Sequence, residues 1–202
     1  MQTQEDKKLK TSPKIKESKE IKESREERVK APAFKGYFLG ERVVSEEIIA
    51  KELYGKSHYG EPFENKIYYS PVEALYLIDR KRLEVYEGKK KLTTEAFMKK
   101  AIKLEPNFHT KFVVYRDMRN KGYIVKTALK FGADFRVYER GTKPGEDHAK
   151  WILYPVYEGQ TMTWHEFAAK NRVAHSTKKR LLLGVVDDEN DITYWEARWI
   201  RP

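Results

Sequence analysis

Cysteine is absent from the sequence, so disulfide bonds, thiol nucleophiles and thiolate metal sites are excluded. Long apolar runs are also missing: no stretch of about 18 apolar residues offers a membrane-spanning helix. The first thirty residues lack the apolar core that a secretory signal contains. We therefore expect a soluble protein that works in the cytoplasm, away from membranes.

Basic residues outnumber acidic ones in the 202-residue chain. There are 41 Lys and Arg against 31 Asp and Glu, a formal net charge of +10. Binding of a polyanion to such a chain releases counterions from phosphates, whatever the nucleotide sequence. The composition therefore favours a nucleic-acid partner, although charge alone does not establish one.

The sequence divides into three parts by composition. Residues 1–33 are a low-complexity tail dominated by Lys and Glu, with too few apolar residues to offset the entropy of ordering. We expect a solvated spacer, and the alternative is a basic arm that gathers RNA. Residues 34–104 mix short strands and helices, which predicts an α+β domain. Residues 105–202 predict a second, mixed α/β domain, with helices flanking a mostly β centre.

Local signals predict several elements of these two domains. Apolar spacing over 43–53 predicts a helix with Ser45 as its cap. Ser70-Pro71 predicts the start of another helix, because proline suits the first helical position. Thr163 and Glu166 match a capping box that opens a helix in the second domain.

Three residues of the second domain draw attention as candidates for chemistry. His148 follows a flexible Gly- and Pro-containing stretch and begins a predicted strand, so a loop would deliver an imidazole to a strand end. Tyr138 lies on the strand predicted over residues 134–139, where it shares a face with Arg136, away from the apolar face, so its phenol should face away from the buried side. Lys179 opens an apolar run. Each of the three, taken alone, is more often structural than catalytic.

The sequence around these residues is similar to a known family. The segments FGADFRVYERG, PGEDHAKWILYPV and NRVAHSTKKRLLLGVVD resemble the catalytic domain of the archaeal-type tRNA-splicing endonucleases, and PVEALYLIDRKRLEV resembles their smaller N-terminal domain. The resemblance implies a restriction-endonuclease-like catalytic domain. It also implies that Tyr138, His148 and Lys179 form a catalytic triad.

The resemblance implies a reaction as well. The RNA 2′-hydroxyl attacks the adjacent phosphate, leaving a 2′,3′-cyclic phosphate and a 5′-hydroxyl. Tyr138 would be the general base, His148 the general acid, and Lys179 would neutralise charge on the phosphate. No cofactor or metal is implied. The alternative is a Mg²⁺ site built from the acidic run 187–191, since clustered carboxylates suit a hard cation.

The substrate implied by the resemblance is precursor tRNA with a bulge-helix-bulge, whose bulged bases are accessible for stacking. Arg172 matches the family arginine that lies ahead of His-Ser. Arg198, on the predicted last strand, is the candidate for the second arginine of a base clamp. Trp195 and Trp199 are the alternatives for stacking.

The resemblance also implies self-association. In the family an acidic loop docks into a basic pocket of a neighbouring subunit, and the corresponding residues here are Asp187, Asp188, Glu189 and Asp191. Two cuts at related bulges require two sites, so we expect a homotetramer, or a heterotetramer with a structural paralogue. The competing hypotheses are a structural or RNA-binding subunit of such an enzyme, and an RNA-binding module without chemistry.

Overall fold

The computed structural model describes residues 32–129 and 132–200, so nearly all of the tail predicted at 1–33 lies outside the described residues. Residues 33–202 form one compact unit. Its described part has two β-sheets and five helices, which confirms the prediction of a mixed α/β protein. None of the described helices combines the length and the apolar character that crossing a membrane requires.

The first sheet occupies the N-terminal half of this unit. The elements of this half are β1 (Phe34–Phe38), β2 (Val43–Ser45), α1 (Ile48–Ser57), β3 (Glu61–Phe63), β4 (Lys66–Tyr69), α2 (Pro71–Asp79), β5 (Leu83–Glu87), β6 (Lys90–Lys91) and α3 (Thr94–Leu104). The strand order is β3-β4-β2-β1-β5-β6, in which β1 and β5 are parallel neighbours.

The helix predicted over residues 43–53 is wrong at its start. Val43 to Ser45 form β2, which pairs with β1 on one side and β4 on the other, and α1 begins only at Ile48. Ser45 is therefore not a helix cap; its hydroxyl donates to the carbonyl of Lys35 at 2.6 Å. Residues 43–45 form a strand in preference to a helix because β-branched valines suit a pleated surface buried on both sides, and Val43 and Val44 are both buried.

The predicted start of α2 is confirmed, with Pro71 at the first helical position. Ser70 and Glu73 form a capping box, in which the Ser70 hydroxyl accepts from the Glu73 amide and the Glu73 carboxylate accepts from the Ser70 amide at 3.1 Å. This arrangement satisfies two of the amides that a helix start leaves without partners.

The second sheet occupies the C-terminal half. The elements are α4 (Phe108–Asn120), β7 (Ile124–Ala128), β8 (Ala133–Tyr138), β9 (Trp151–Tyr157), α5 (Trp164–Ser176), β10 (Arg180–Val186) and β11 (Ile192–Ala197). The strand order is β11-β10-β9-β8-β7. Strands β9 and β10 are parallel and joined through α5, whose predicted capping box at Thr163 and Glu166 is present.

Helices cover both faces of this second sheet. On one face, Phe135, Val137 and Leu153 belong to the same apolar cluster as residues of α4. On the other face, Ile152 and Leu181 pack with Ala174 of α5. Neither face of the central strands is left open to solvent, as in other sheets with parallel crossover connections.

The two halves share a hydrophobic core and a buried polar junction. The first cluster runs from the N-terminal sheet through α2 and α4 into the second sheet. We call the polar contacts the Gly60 junction; its members are Ser57, His58, Gly60, Glu73, Arg119 and Lys126. The Gly60 amide donates to Glu73 at 3.0 Å, and its carbonyl accepts from Lys126. Lys126 also donates to the His58 carbonyl at 3.1 Å, and Arg119 to the Ser57 carbonyl at 2.8 Å.

The Gly60 junction places two buried cations at the C-terminal end of α1. Lys126 is 4% exposed and Arg119 is 9% exposed. Carbonyls at a helix C-terminus carry partial negative charge, so cations there are favourable and the carbonyls gain donors. This contact fixes the end of α1 against the second sheet.

Candidate active site

The three residues of the predicted triad lie at one edge of the second sheet, where β8 ends and where β9 and β10 begin. Tyr138 ends β8, His148 lies three residues before β9, and Lys179 immediately precedes β10. The three strands are neighbours, and main-chain bonds align these ends: the Lys150 amide donates to the Val137 carbonyl at 2.9 Å, and the Arg180 amide donates to the Lys150 carbonyl at 3.0 Å. Adjacent strands lie about 4.8 Å apart, so the chain positions of all three fall within about two strand spacings.

Strand alternation places Tyr138 and Lys179 on the same face of the sheet. Phe135 and Val137 pack on the α4 side, so the intervening Arg136 and the following Tyr138 belong to the α5 side. On β10, Leu181 packs with α5, and Lys179 two residues earlier shares its side. The phenol and the ammonium therefore extend from one side of the sheet.

The side chain of Tyr138 is buried, with only 5% of its surface exposed, so the expectation that its phenol faces away from the buried side is wrong. The sequence showed one apolar face on β8 and suggested solvent on the other. In the structure α5 covers that other side, and the end of β8 is enclosed as well.

Lys179 sits at the end of α5 in a partly buried position. Its ammonium donates to the Thr177 carbonyl at 2.9 Å. Burial lowers the pKa of Lys179 from its ordinary value, and the positive charge of Arg136 lowers that pKa further. Arg136 lies on β8, on the same side of the sheet as Lys179 and separated from β10 only by β9.

His148 is exposed and is carried by the loop between β8 and β9. The loop is tied at its base, where the Thr142 hydroxyl donates to the Glu139 carbonyl at 2.8 Å, and the His148 amide donates to Asp147 at 2.6 Å. Gly141 and Gly145 have φ values of 86° and 95°, which only glycine adopts readily. The imidazole thus remains accessible to a ligand at the sheet edge.

The predicted RNA-binding residues separate into two groups. Arg172 is exposed on α5, one turn before His175, whose ring lies 4.8 Å from that of Trp199. Arg172 and Trp199 therefore border the same surface. Arg198 instead pairs with Glu196 at 2.6 Å, and Glu196 accepts a bond from Trp151 at 2.7 Å. Trp199 thus packs against α5 near Arg172, and Arg198 is paired with Glu196.

The acidic run lies at the opposite end of the second sheet from Lys179. Residues 187–191 form the turn between β10 and β11. The seven residues of β10 separate this turn from Lys179 by about 23 Å. Asp187 accepts from the Asp191 amide at 2.7 Å, and Asp188 accepts from the Tyr157 hydroxyl. In residues 32–129 and 132–200 no three His, Asp or Glu side chains converge as a metal-ligand group.

Two domains of one known protein family match this chain. The family model of the catalytic C-terminal domain of tRNA intron endonucleases matches residues 108–194, and that of their N-terminal domain matches residues 34–98. The chain belongs to the tRNA intron endonuclease family. The resemblance inferred from the motifs is thereby confirmed, and so is the two-domain architecture of an N-terminal and a catalytic domain.

Three curated relatives of this tRNA intron endonuclease come from archaea, and each is named tRNA-splicing endonuclease. The protein of Nanoarchaeum equitans is 49% identical over 137 residues, which are 65% of this chain and 88% of the relative. That of Thermococcus kodakarensis is 38% identical over 166 residues, which are 82% of this chain and 97% of the relative. That of Methanothermobacter thermautotrophicus is 42% identical over 140 residues, which are 69% of this chain and 81% of the relative.

Arg136 is a possible part of the site that was not predicted from the sequence of this tRNA intron endonuclease. The alternation that paired Arg136 with Tyr138 was visible in the sequence. Its closeness to Lys179 depends on the pairing of β8, β9 and β10, which the sequence did not reveal.

Proposed function

We propose that this tRNA intron endonuclease cleaves precursor tRNA at bulge-helix-bulge splice sites, using Tyr138, His148 and Lys179. The observation that supports the proposal is their common position at one edge of the second sheet, inside the domain that matches the family's catalytic model. Family membership makes the chain an endonuclease of tRNA splicing. The residues and the chemistry are our own assignment.

The proposed reaction is an internal transesterification. In the proposed step the phenolate oxygen of Tyr138 takes the proton of the 2′-hydroxyl, the 2′-oxygen forms a bond to the adjacent phosphorus, and the bond from phosphorus to the 5′-oxygen breaks. His148 gives a proton to that departing oxygen. The products are a 2′,3′-cyclic phosphate and a 5′-hydroxyl, so atoms and protons balance without a co-reactant.

Lys179 supplies positive charge where negative charge develops. During the attack, charge accumulates on the non-bridging phosphate oxygens, and a fixed cation in a partly buried site stabilises it more than water does. Acid and base groups in position each contribute about 10²–10⁴-fold, which supports a mechanism without a metal ion.

The base clamp is proposed to consist of Arg172 and Trp199. Both a guanidinium plane and an indole ring can stack on an extruded base. The pair is favoured over Arg172 with Arg198 because Trp199 lies against His175 on the Arg172 side, whereas Arg198 is held by Glu196. Trp195, 64% exposed on the edge strand β11, remains an alternative stacking residue.

The acidic turn and the edge strand are proposed as subunit contacts. Because the turn is about 23 Å from Lys179, its carboxylates are available to a neighbouring subunit without entering the same active site. Strand β11 forms one edge of the second sheet and offers unpaired main-chain groups to another chain. We propose a homotetramer, or a heterotetramer with a structural paralogue.

The test is single-turnover cleavage of a bulge-helix-bulge RNA by the purified chain alone, in excess EDTA. We expect cleavage with cyclic-phosphate ends, and a loss of orders of magnitude in His148→Ala with nearly unchanged RNA affinity. His165→Ala is the matched control, because His165 is an exposed histidine in the first turn of α5. Binding without cleavage by the wild-type chain would instead indicate an RNA-binding or structural subunit.

A further inference from the structure

Arg136 has an unusual environment for an arginine on a central strand. It lies on β8 two residues before Tyr138, on the same side of the sheet. Its Nε is buried and has no hydrogen-bond partner among the described residues. The carboxylate nearest to it, that of Glu61, is 4.0 Å from the guanidinium, so the ion pair is a loose one, and 30% of the side chain is exposed.

Two lysines lie on the same side of the sheet as Arg136. Lys126 lies directly across from it on β7, but the Lys126 ammonium is buried and already donates to the carbonyls of His58 and Gly60. Lys179 lies beyond β9 on the same side, and burial, followed by the positive charge of Arg136, lowers the pKa values of both lysines. The guanidinium of Arg136, with a buried Nε that has no partner among the described residues and one loose ion pair, is suited to bind an anion.

We propose that Arg136 binds the RNA phosphate next to the one that is cleaved, beside Lys179. A guanidinium suits this role because its planar donors can hold two phosphate oxygens at once. Two residues along a strand span about 6.8 Å, which moves Arg136 one step inward from Tyr138 at the edge. In the free protein Glu61 pairs with the guanidinium, and on RNA binding the phosphate displaces it. The inference rests on the proposed function, since it places RNA at this edge.

The test measures RNA binding without cleavage. The probe is a bulge-helix-bulge RNA with a 2′-deoxy nucleotide at each cleavage position, which has no 2′-hydroxyl to attack. For Arg136→Gln we expect affinity about tenfold weaker, and a plot of log affinity against log salt whose slope is smaller by about 0.7–0.9, as for the loss of one phosphate contact. Arg136→Lys keeps the charge, so it should retain the slope with intermediate affinity.

The matched control removes an equal charge elsewhere. Arg80 lies at the end of α2, where it contacts Asn120 and the ring of Tyr76. Arg80→Gln should leave affinity and slope as in the wild type, whereas Glu61→Gln should tighten binding because it removes the competing carboxylate. Melting temperatures of all variants separate misfolding from lost contacts.

Two results would overturn the proposal. One is unchanged affinity and slope in Arg136→Gln; the other is weaker binding with the full wild-type slope, which would show that Arg136 supports the fold and touches no phosphate. Cleavage of the all-ribose RNA by the wild-type chain is scored separately. Its absence would contradict the proposed function, while the salt slope would still decide whether Arg136 contacts RNA.

Discussion

The buried capping box of α2 allows a quantitative prediction, because the chain also contains an exposed one. Glu73 is 3% exposed and accepts bonds from the Ser70 amide, the Ser70 hydroxyl and the Gly60 amide. Glu166 occupies the corresponding position of α5 and is exposed. It accepts from the amide and hydroxyl of Thr163, at 2.8 and 2.9 Å.

Substitution by alanine should therefore affect the two helices differently. Either variant loses its reciprocal cap, which costs about 1 kcal/mol. Glu73→Ala also leaves the buried Gly60 amide without its acceptor, which costs a further 1–3 kcal/mol or so. We expect a total of about 2–4 kcal/mol for Glu73→Ala and about 1 kcal/mol for Glu166→Ala.

Thermal melting measures the difference. For a unit of this size, 1 kcal/mol corresponds to about 2–4 °C, so Glu73→Ala should lower the melting temperature by roughly 4–16 °C and Glu166→Ala by roughly 2–4 °C. Equal losses in the two variants would refute the reasoning, because they would mean that the third bond of Glu73 and its burial contribute nothing.

Three further predictions concern backbone strain and ionisation. Gly60→Ala should lower the free energy of unfolding by more than about 2 kcal/mol, because φ is 72° and a Cβ would lie 2.5–2.9 Å from three neighbouring atoms. The control is Gly55→Ala in α1, whose Cβ would meet nothing within 4 Å. In urea unfolding it should raise the free energy of unfolding by about 0.5–1 kcal/mol. Burial and the nearby Arg136 lower the pKa of Lys179, so as the pH rises the cleavage rate should begin to fall before the ordinary lysine pKa near 10.4 is reached. In a pH–rate profile of Arg136→Gln this fall should begin at a higher pH than in the wild type. Burial raises the pKa of Tyr76 to about 12, so between pH 10 and 12 the unfolded chain loses this proton more readily than the folded chain does. The stability of Tyr76→Phe relative to the wild type should therefore rise by about 2 kcal/mol from pH 9 to 12 in urea unfolding.

Much of the fold was predictable because its signals are local. Capping boxes at Ser70 and Thr163 require only residues three positions apart, and both are present. The error at Ser45 arose because helical spacing across residues 43–53 competed with strand pairing, and the partners of β2 lie elsewhere in the chain. Local patterns cannot reveal which distant strands will pair.

The candidate site was predictable only through its motifs. Alternation on β8 correctly separated Phe135 from Arg136, but it could not show that α5 covers the second face and that Tyr138 is buried. Likewise, the choice between Arg198 and Trp199 depends on an ion pair and a ring contact at the chain's last described residues. Burial and neighbours of this kind arise from tertiary packing, which one strand's sequence does not encode.

The single apolar cluster that runs through both halves has a consequence for how such enzymes can be built. A gene fragment encoding only the catalytic half would translate into a chain whose α4 lacks the N-terminal part of this cluster, including the Tyr76 ring that packs against Tyr115. Selection would remove such a product through aggregation. Any tandem duplication of this enzyme must therefore copy a segment that fills the place of the N-terminal half beside each catalytic half.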